Sequence, residues 1–299
     1  MKKTQFRLAA TRQPFILGSS ETTREAPIES KAFCFNDYLF HYQPEHIQST
    51  PIHFLEWFVG FSEGDGSFII SKQQCSFVIN QKDVKILYKI KTILGFGRVY
   101  KYIQNNELFG RYLVGDKKNC ERLVAIFNGN LVLEKTKVRF QLWAKMLNQN
   151  YIFSRKTGQL QLKNAWLSGF IDAEGCFYAK IRKSPKNRFG LKIEKKFILN
   201  QKGEKRFFSD LKELLKSNAQ IQEIKKKTST YFKLEVGSMK SNQILLNYLI
   251  TFPCQGQKKV ASLRYRRILG YIERKEHLNQ IGFKRIQRLC KNKKNGILF

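Results

Sequence analysis

The chain has 299 residues, with 55 Lys and Arg against 23 Asp and Glu, for a formal net charge of +32. With 42% hydrophobic residues it can build one large core or two of ordinary size, but no apolar run reaches the ~20 residues that span a bilayer. The charge imbalance points to an extended polyanion, nucleic acid ahead of a membrane surface. The six cysteines (Cys34, Cys75, Cys120, Cys176, Cys254, Cys290) lack metal-site spacing, and four histidines (His41, His46, His53, His277) argue against a histidine-based or Ser-His-Asp site.

Taken in chain order, residues 1–50 show no sustained periodicity and read as an N-terminal extension, either flexible or a leader. Lys2, Lys3, Arg7 and Arg12 precede the first acidic residue, Glu21, which is faintly like an organelle transit peptide. Pro51 then stands where a helix starts well. A first unit, 51–153, is expected as a helix over 52–64, strands 66–72 and 75–81, and a helix 83–94. Strands 97–103 and 108–114 and helices 117–127 and 134–149 complete it. Residues 154–161 read as a linker. The second unit, 162–273, repeats the order: helix 162–173, strands 176–183 and 190–200, helix 203–216, strands 219–226 and 231–236, helices 240–250 and 257–273. A basic tail, 274–299, follows, read as a helix with a frayed end.

One phrase occurs twice, Phe58-Val-Gly-Phe-Ser-Glu-Gly-Asp-Gly66 and Leu167-Ser-Gly-Phe-Ile-Asp-Ala-Glu-Gly175. A second repeated phrase, Phe77-Val-Ile-Asn-Gln-Lys82 and Phe197-Ile-Leu-Asn-Gln-Lys202, lies behind it in each half. Internal repetition at this level indicates two copies of one fold. Gly60 and Gly64, like Gly169 and Ala173, are four apart and share a helix face. Two such faces can approach backbone to backbone, bringing the helix C-termini together with Asp65 and Glu174 at their tips. A carboxylate there faces the negative end of the helix dipole, and the two repel each other. A hard divalent cation such as Mg²⁺ reverses both penalties. The plainer alternative is that the two acids cap helix ends or face solvent. Glu63 and Asp172, one turn earlier, are expected to accept hydrogen bonds from backbone at the helix junction.

These residues resemble the LAGLIDADG homing endonucleases in their single-chain, two-motif form, over about residues 52–273. The resemblance implies an α+β fold of two pseudo-symmetric αββαββα repeats, with antiparallel sheets forming a DNA-binding saddle and the motif helices packed at the repeat interface. It implies divalent metal (Mg²⁺ or Mn²⁺) on Asp65 and Glu174, completed by the carbonyls of Gly64 and Ala173, and metal-bound water held by Gln81 and Gln201. It also implies a basic residue near each scissile phosphate. A shared Lys-Val puts Lys137 and Lys259 first, with Lys135 or Lys258 as alternatives. The first motif departs from the usual pattern, with Ser62-Glu63 in place of Ile-Asp and Asp as the last acid.

Alternation marks the surface for DNA. Phe177, Ala179 and Ile181 oppose Tyr178, Lys180 and Arg182; Leu191, Ile193, Phe197 and Leu199 oppose Lys192, Glu194 and Lys196. Arg98, Tyr100 and Tyr102 share a face, and Lys72, Arg111 and Lys233 join the expected contacts. Lys195 interrupts the alternation and is expected to mark a bulge. The function that the resemblance implies is site-specific double-strand DNA cleavage across the minor groove, leaving short 3′ overhangs and serving intron mobility, by a monomer in the mitochondrion or, alternatively, the plastid. An RNA maturase acting on its host intron is the alternative, and a DNA-binding regulator on a degenerate fold a third.

Overall fold

A computed structural model describes residues 32–45, 47, 50–156, 158–187 and 189–290. The leader question and the last stretch of the basic tail therefore lie outside the described residues. Residues 32–42, expected within the flexible extension, are instead packed. Phe33, Phe35 and Tyr38 are buried, and a short π-helical turn, Tyr38–Tyr42, follows. Cys34 N–H donates to Asn130 Oδ1 at 2.8 Å, and Asn130 Nδ2 returns a bond to the Cys34 carbonyl at 2.7 Å. Three aromatics without helical or strand period give no pattern signal, but they carry enough apolar area to be held by a core.

The first repeat runs α1 (Ile52–Asp65), β1 (Gly66–Ser71), β2 (Gln74–Gln81), α2 (Val84–Leu94), β3 (Arg98–Gln104), β4 (Glu107–Val114), α3 (Lys117–Phe127) and α4 (Glu134–Leu147). The second runs α5 (Trp166–Glu174), β5 (Cys176–Lys183), β6 (Leu191–Lys202), α6 (Lys205–Leu214), β7 (Ile221–Lys226), β8 (Ser229–Val236), α7 (Met239–Thr251) and α8 (Lys258–Glu273). A 3₁₀ turn, Glu276–Leu278, and α9 (Gln280–Cys290) close the described chain. Each repeat holds one four-stranded antiparallel sheet, in the orders β1-β2-β4-β3 and β5-β6-β8-β7. Helices cover one face of each sheet and leave the other polar, as half-buried antiparallel strands require.

The hairpin turns follow their chemistry. Lys72-Gln73 and Asn105-Asn106 all have positive φ, which matches the right-handed twist of the flanking strands. Aromatic rings fill the first core: Phe68 packs against Phe77, Phe127, Phe140 and Trp143 with centroids 5.2–5.5 Å apart. In the second repeat Phe177 meets Phe197 and Tyr265.

Two further sequence expectations need correcting. Helix α5 starts at Trp166 rather than 162, because Asn164 Oδ1 accepts the Trp166 N–H at 3.1 Å and turns the chain there. There is no bulge at Lys195, since β5 and β6 pair in unbroken register from Cys176↔Ile198 to Lys183↔Leu191. Lys195 sits on the apolar face, where its ammonium finds the Gly237 carbonyl. Among the described residues no helix is long and apolar enough to cross a membrane, and no cysteine is disulfide-bonded.

Candidate active site

Helices α1 and α5 pack against each other through their small residues. A Cβ added to Gly60 would lie 2.0 Å from the Trp166 carbonyl oxygen, and one on Gly169 would lie 1.9 Å from the Trp57 carbonyl oxygen. At the tips, a Cβ on Gly64 would meet the Ala173 Cβ at 2.3 Å and Glu174 Cγ at 3.2 Å. No side chain larger than hydrogen fits at Gly60, Gly64 or Gly169, so the two helix ends, with Asp65 and Glu174, stand together.

The acids one turn earlier lock this geometry by a crossed arrangement. Glu63, almost wholly buried, accepts the N–H groups of Val132 (3.0 Å) and Leu133 (2.7 Å) and the indole N–H of Trp166 from the other repeat (2.7 Å). Asp172 accepts Gln255 N–H (2.5 Å), Gly256 N–H (3.3 Å) and the indole N–H of Trp57, again from the other repeat (2.9 Å). Each first acid thus pins the segment that enters α4 or α8 and ties the two motif helices together. Burial pushes Glu63 up to about 8, opposed by its three N–H donors, and raises Asp172.

Asp65 is raised to about 7, first by burial and then by the Glu174 charge, against the Lys258 ammonium and the Gln81 amide, which favour its ionised form. Glu174 is raised by burial and opposed by Lys135, Lys258 and Gln201. Gln81 donates to Asp65. Gln201 sits beside Glu174, but its buried Nε2 lacks a hydrogen-bond partner of good geometry. Each acid therefore meets a glutamine from its own repeat and a lysine from the other.

Those lysines are Lys258 and Lys135, not Lys259 and Lys137. Lys258 Nζ donates to the Ala173 carbonyl at 2.8 Å; burial lowers its pKa, while Asp65, Asp172 and Glu174 hold its charge. Lys135 is likewise lowered by burial and supported by Glu204 and Glu174. Lys137 pairs with Glu134 at 2.7 Å, and Lys259 is exposed. The Lys-Val match misaligned the repeats. The structural register counts from the N–H groups accepted by Glu63 and Asp172: Lys135 lies two residues past Leu133, as Lys258 lies two past Gly256.

The donor set suits a hard dication. Two carboxylates pushed up by burial, Asp65 also by the Glu174 charge, flanked by the Gly64 and Ala173 carbonyls and an unpartnered amide, suit Mg²⁺ when phosphate and water supply the remaining oxygens. Among the described residues no three His, Cys, Asp or Glu side chains gather at one point.

On the polar face of the first sheet, Tyr100 pairs across with Arg111. The Arg111 guanidinium lies 5.3 Å from the Tyr102 ring centroid, and its Nε donates to Asn80 Oδ1 at 2.9 Å. Arg98 is on the same face, and Lys72 is in the exposed β1–β2 turn. In the second sheet Tyr178, Lys180 and Arg182 lie opposite Lys196, Glu194 and Lys192. Here three of the expected DNA contacts are internally paired: Arg182 with Glu194 (2.5 Å), Lys196 with Glu235 (2.7 Å) and Lys233 with Glu235 (2.5 Å).

Two like repeats clasped by motif helices with acid tips define a nuclease-type architecture of the LAGLIDADG class. The sequence model for the LAGLIDADG endonuclease matches residues 58–147 and 167–269. The chain belongs to that family. It is 35% identical over 230 residues to a probable intron-encoded endonuclease 4 of Neurospora crassa, covering 74% of this chain and 41% of the relative, so it spans about two fifths of that protein's length. It is 25% identical over 292 residues to an uncharacterized cox1 intron-2 protein of Schizosaccharomyces pombe, covering 93% and 82% of the two chains. Among solved structures, the meganuclease I-SmaMI bound to uncleaveable DNA shares the fold with a TM-score of 0.66 and 17% identity, over 82% of this chain and 98% of that one.

Proposed function

We propose that this protein is a site-specific, Mg²⁺-dependent DNA endonuclease that hydrolyses one phosphodiester per strand across the minor groove of a long duplex site. It acts as a monomer and promotes the mobility of its intron. The observation that carries this reading is the convergence of Asp65 and Glu174, each raised in pKa, with Lys258 and Lys135 beside them. A buried pair of carboxylates with flanking ammonium groups is poised for charge that develops on a phosphate.

Asp65, Glu174 and the carbonyls of Gly64 and Ala173 would hold the metal, which supplies neutralisation of phosphate charge and an acidified water when bound. Gln81, whose amide donates to Asp65, and Gln201, beside Glu174, would orient the attacking water. Lys258 and Lys135 bring positive charge to the scissile phosphates from opposite repeats. The polar sheet faces, with Arg98, Tyr100, Tyr102, Arg111, Lys180 and Lys192, take the flanking duplex, where Arg and Lys bind phosphates or guanine edges. A mitochondrial setting is supported by the relative named for a cox1 intron.

The test is selection of cleaved sequences from a randomised duplex library with and without Mg²⁺. The proposal expects one long site to be enriched, only with divalent cation present. An unenriched pool, joined to restored splicing of the host intron with both acids neutralised, would favour the maturase instead.

A further inference from the structure

Helices α4 and α8, which bring Lys135 and Lys258 to the centre, do not cap themselves. The residues at their N-caps are Leu133, which has no acceptor, and Gln257, whose side chain makes no cap bond. By contrast α3 and α7 are capped by their own Asp116 and Ser238. The missing acceptors come from the opposite repeat. Glu204, from the second repeat, accepts the Lys135 N–H at 3.0 Å, and Asp83, from the first, accepts the Gln257 N–H at 3.1 Å. Asp83 directly follows the first Asn-Gln-Lys phrase and Glu204 lies one glycine past the second, each at the N-cap of the helix that follows the strand carrying Gln81 or Gln201. Glu204 is only 6% exposed. A buried carboxylate is retained only where it is well partnered, and Glu204's partners are the entry of α4 and the Lys135 charge.

Resting on the endonuclease reading of the carboxylate pair, we propose that Asp83 and Glu204 are positioning residues. Each is built on one repeat and fixes the helix entry that presents the other repeat's lysine, Lys258 or Lys135, to one scissile phosphate. The turn just past the glutamine beside each of Asp65 and Glu174 thus also reaches across to set a lysine. Movement of either sheet on DNA is thereby transmitted to the opposite lysine, and the two strand cuts become separately tunable.

The experiment uses the full-length protein on a supercoiled plasmid carrying its selected site, together with competitive amine labelling of the metal-free protein read by mass spectrometry. Asp83→Ala and Glu204→Ala are expected to bind DNA as the parent does. Each should slow one strand roughly ten- to a hundredfold, the cost of misplacing one group by about an ångström, so that nicked circles accumulate. The slowed strand should differ between the two variants. Asp83→Asn and Glu204→Gln keep an acceptor oxygen and are expected to restore linear product. In labelling, Asp83→Ala should raise the reactivity of Lys258 but not Lys135, and Glu204→Ala the reverse. Equal slowing of both strands, nicks in the same strand for both variants, or unchanged labelling of both lysines would overturn the proposal. If the parent protein fails to cut in Mg²⁺, the endonuclease reading fails, and the labelling pattern alone then decides whether these acids position the lysines.

Discussion

Gly169→Ala tests the helix contact on which the site is built. The new methyl would lie 1.9 Å from the Trp57 carbonyl oxygen and within 2.8 Å of the Phe61 nitrogen, both backbone atoms that cannot rotate away. Relief to an ordinary contact requires the helices to part by more than an ångström, which would also stretch the indole bonds that cross between them, Trp57 to Asp172 and Trp166 to Glu63. Overpacking of this kind costs about 1–3 kcal/mol or more, while Ala in a helix returns at most ~1 kcal/mol. We expect a net loss of about 1–2 kcal/mol in urea unfolding, read as a lower midpoint at unchanged slope. The parted tips should also lower the cleavage rate at saturating Mg²⁺. Gly115→Ala, where nothing lies within 4 Å of the added carbon, is the control and should cost nothing. A Gly169→Ala protein as stable as the parent would refute the close-packed interface.

Trp57→Phe removes an indole N–H from the buried Asp172 carboxylate and should destabilise by about 1–3 kcal/mol; Trp166→Phe should do the same through Glu63. Thermal unfolding of both variants checks this. Lys135→Met and Lys258→Met should suppress cleavage with DNA binding retained, whereas Lys137→Met and Lys259→Met should leave the rate within a fewfold, as measured in single-turnover assays. The pH profile has a defined sign. Asp65 and Glu63 titrate near 7 and 8 when folded but near the ordinary carboxylate range when unfolded, so they favour the folded state at low pH. Stability of the metal-free protein should therefore fall as pH rises from about 4 to 8. Asp65→Asn should flatten that fall, and Mg²⁺ should offset it at pH 8.

The repeated phrases made the fold legible, because a doubled apolar helix ending in two acids, with Asn-Gln-Lys behind each, fixes two like units. Most strand and helix positions from 52 to 273 follow from period, but α1 and α5 are buried on every side and were legible through the doubled phrase instead, which left the start of α5 four residues early. What sequence could not show is what depends on contacts across the pseudo-symmetric interface. The indole bonds of Trp57 and Trp166 to Asp172 and Glu63 look, in sequence, like two apolar helix positions. Asp83 and Glu204 look like unremarkable acids at helix starts. Lys135 and Lys258 were obscured by a local Lys-Val match that shifts one repeat against the other by a residue. The helix entries, marked by the N–H groups that Glu63 and Asp172 accept, give the true correspondence. Salt bridges on the second sheet were also invisible, because Glu194 and Glu235 find their cations only through strand pairing.

The most direct test of the account is cleavage of the selected duplex by Asp65→Asn and by Glu174→Gln in Mg²⁺, with affinity for the same duplex measured in parallel. The account predicts that each variant binds DNA much as the parent does and fails to cut. Cutting at the parent rate by either variant would contradict it.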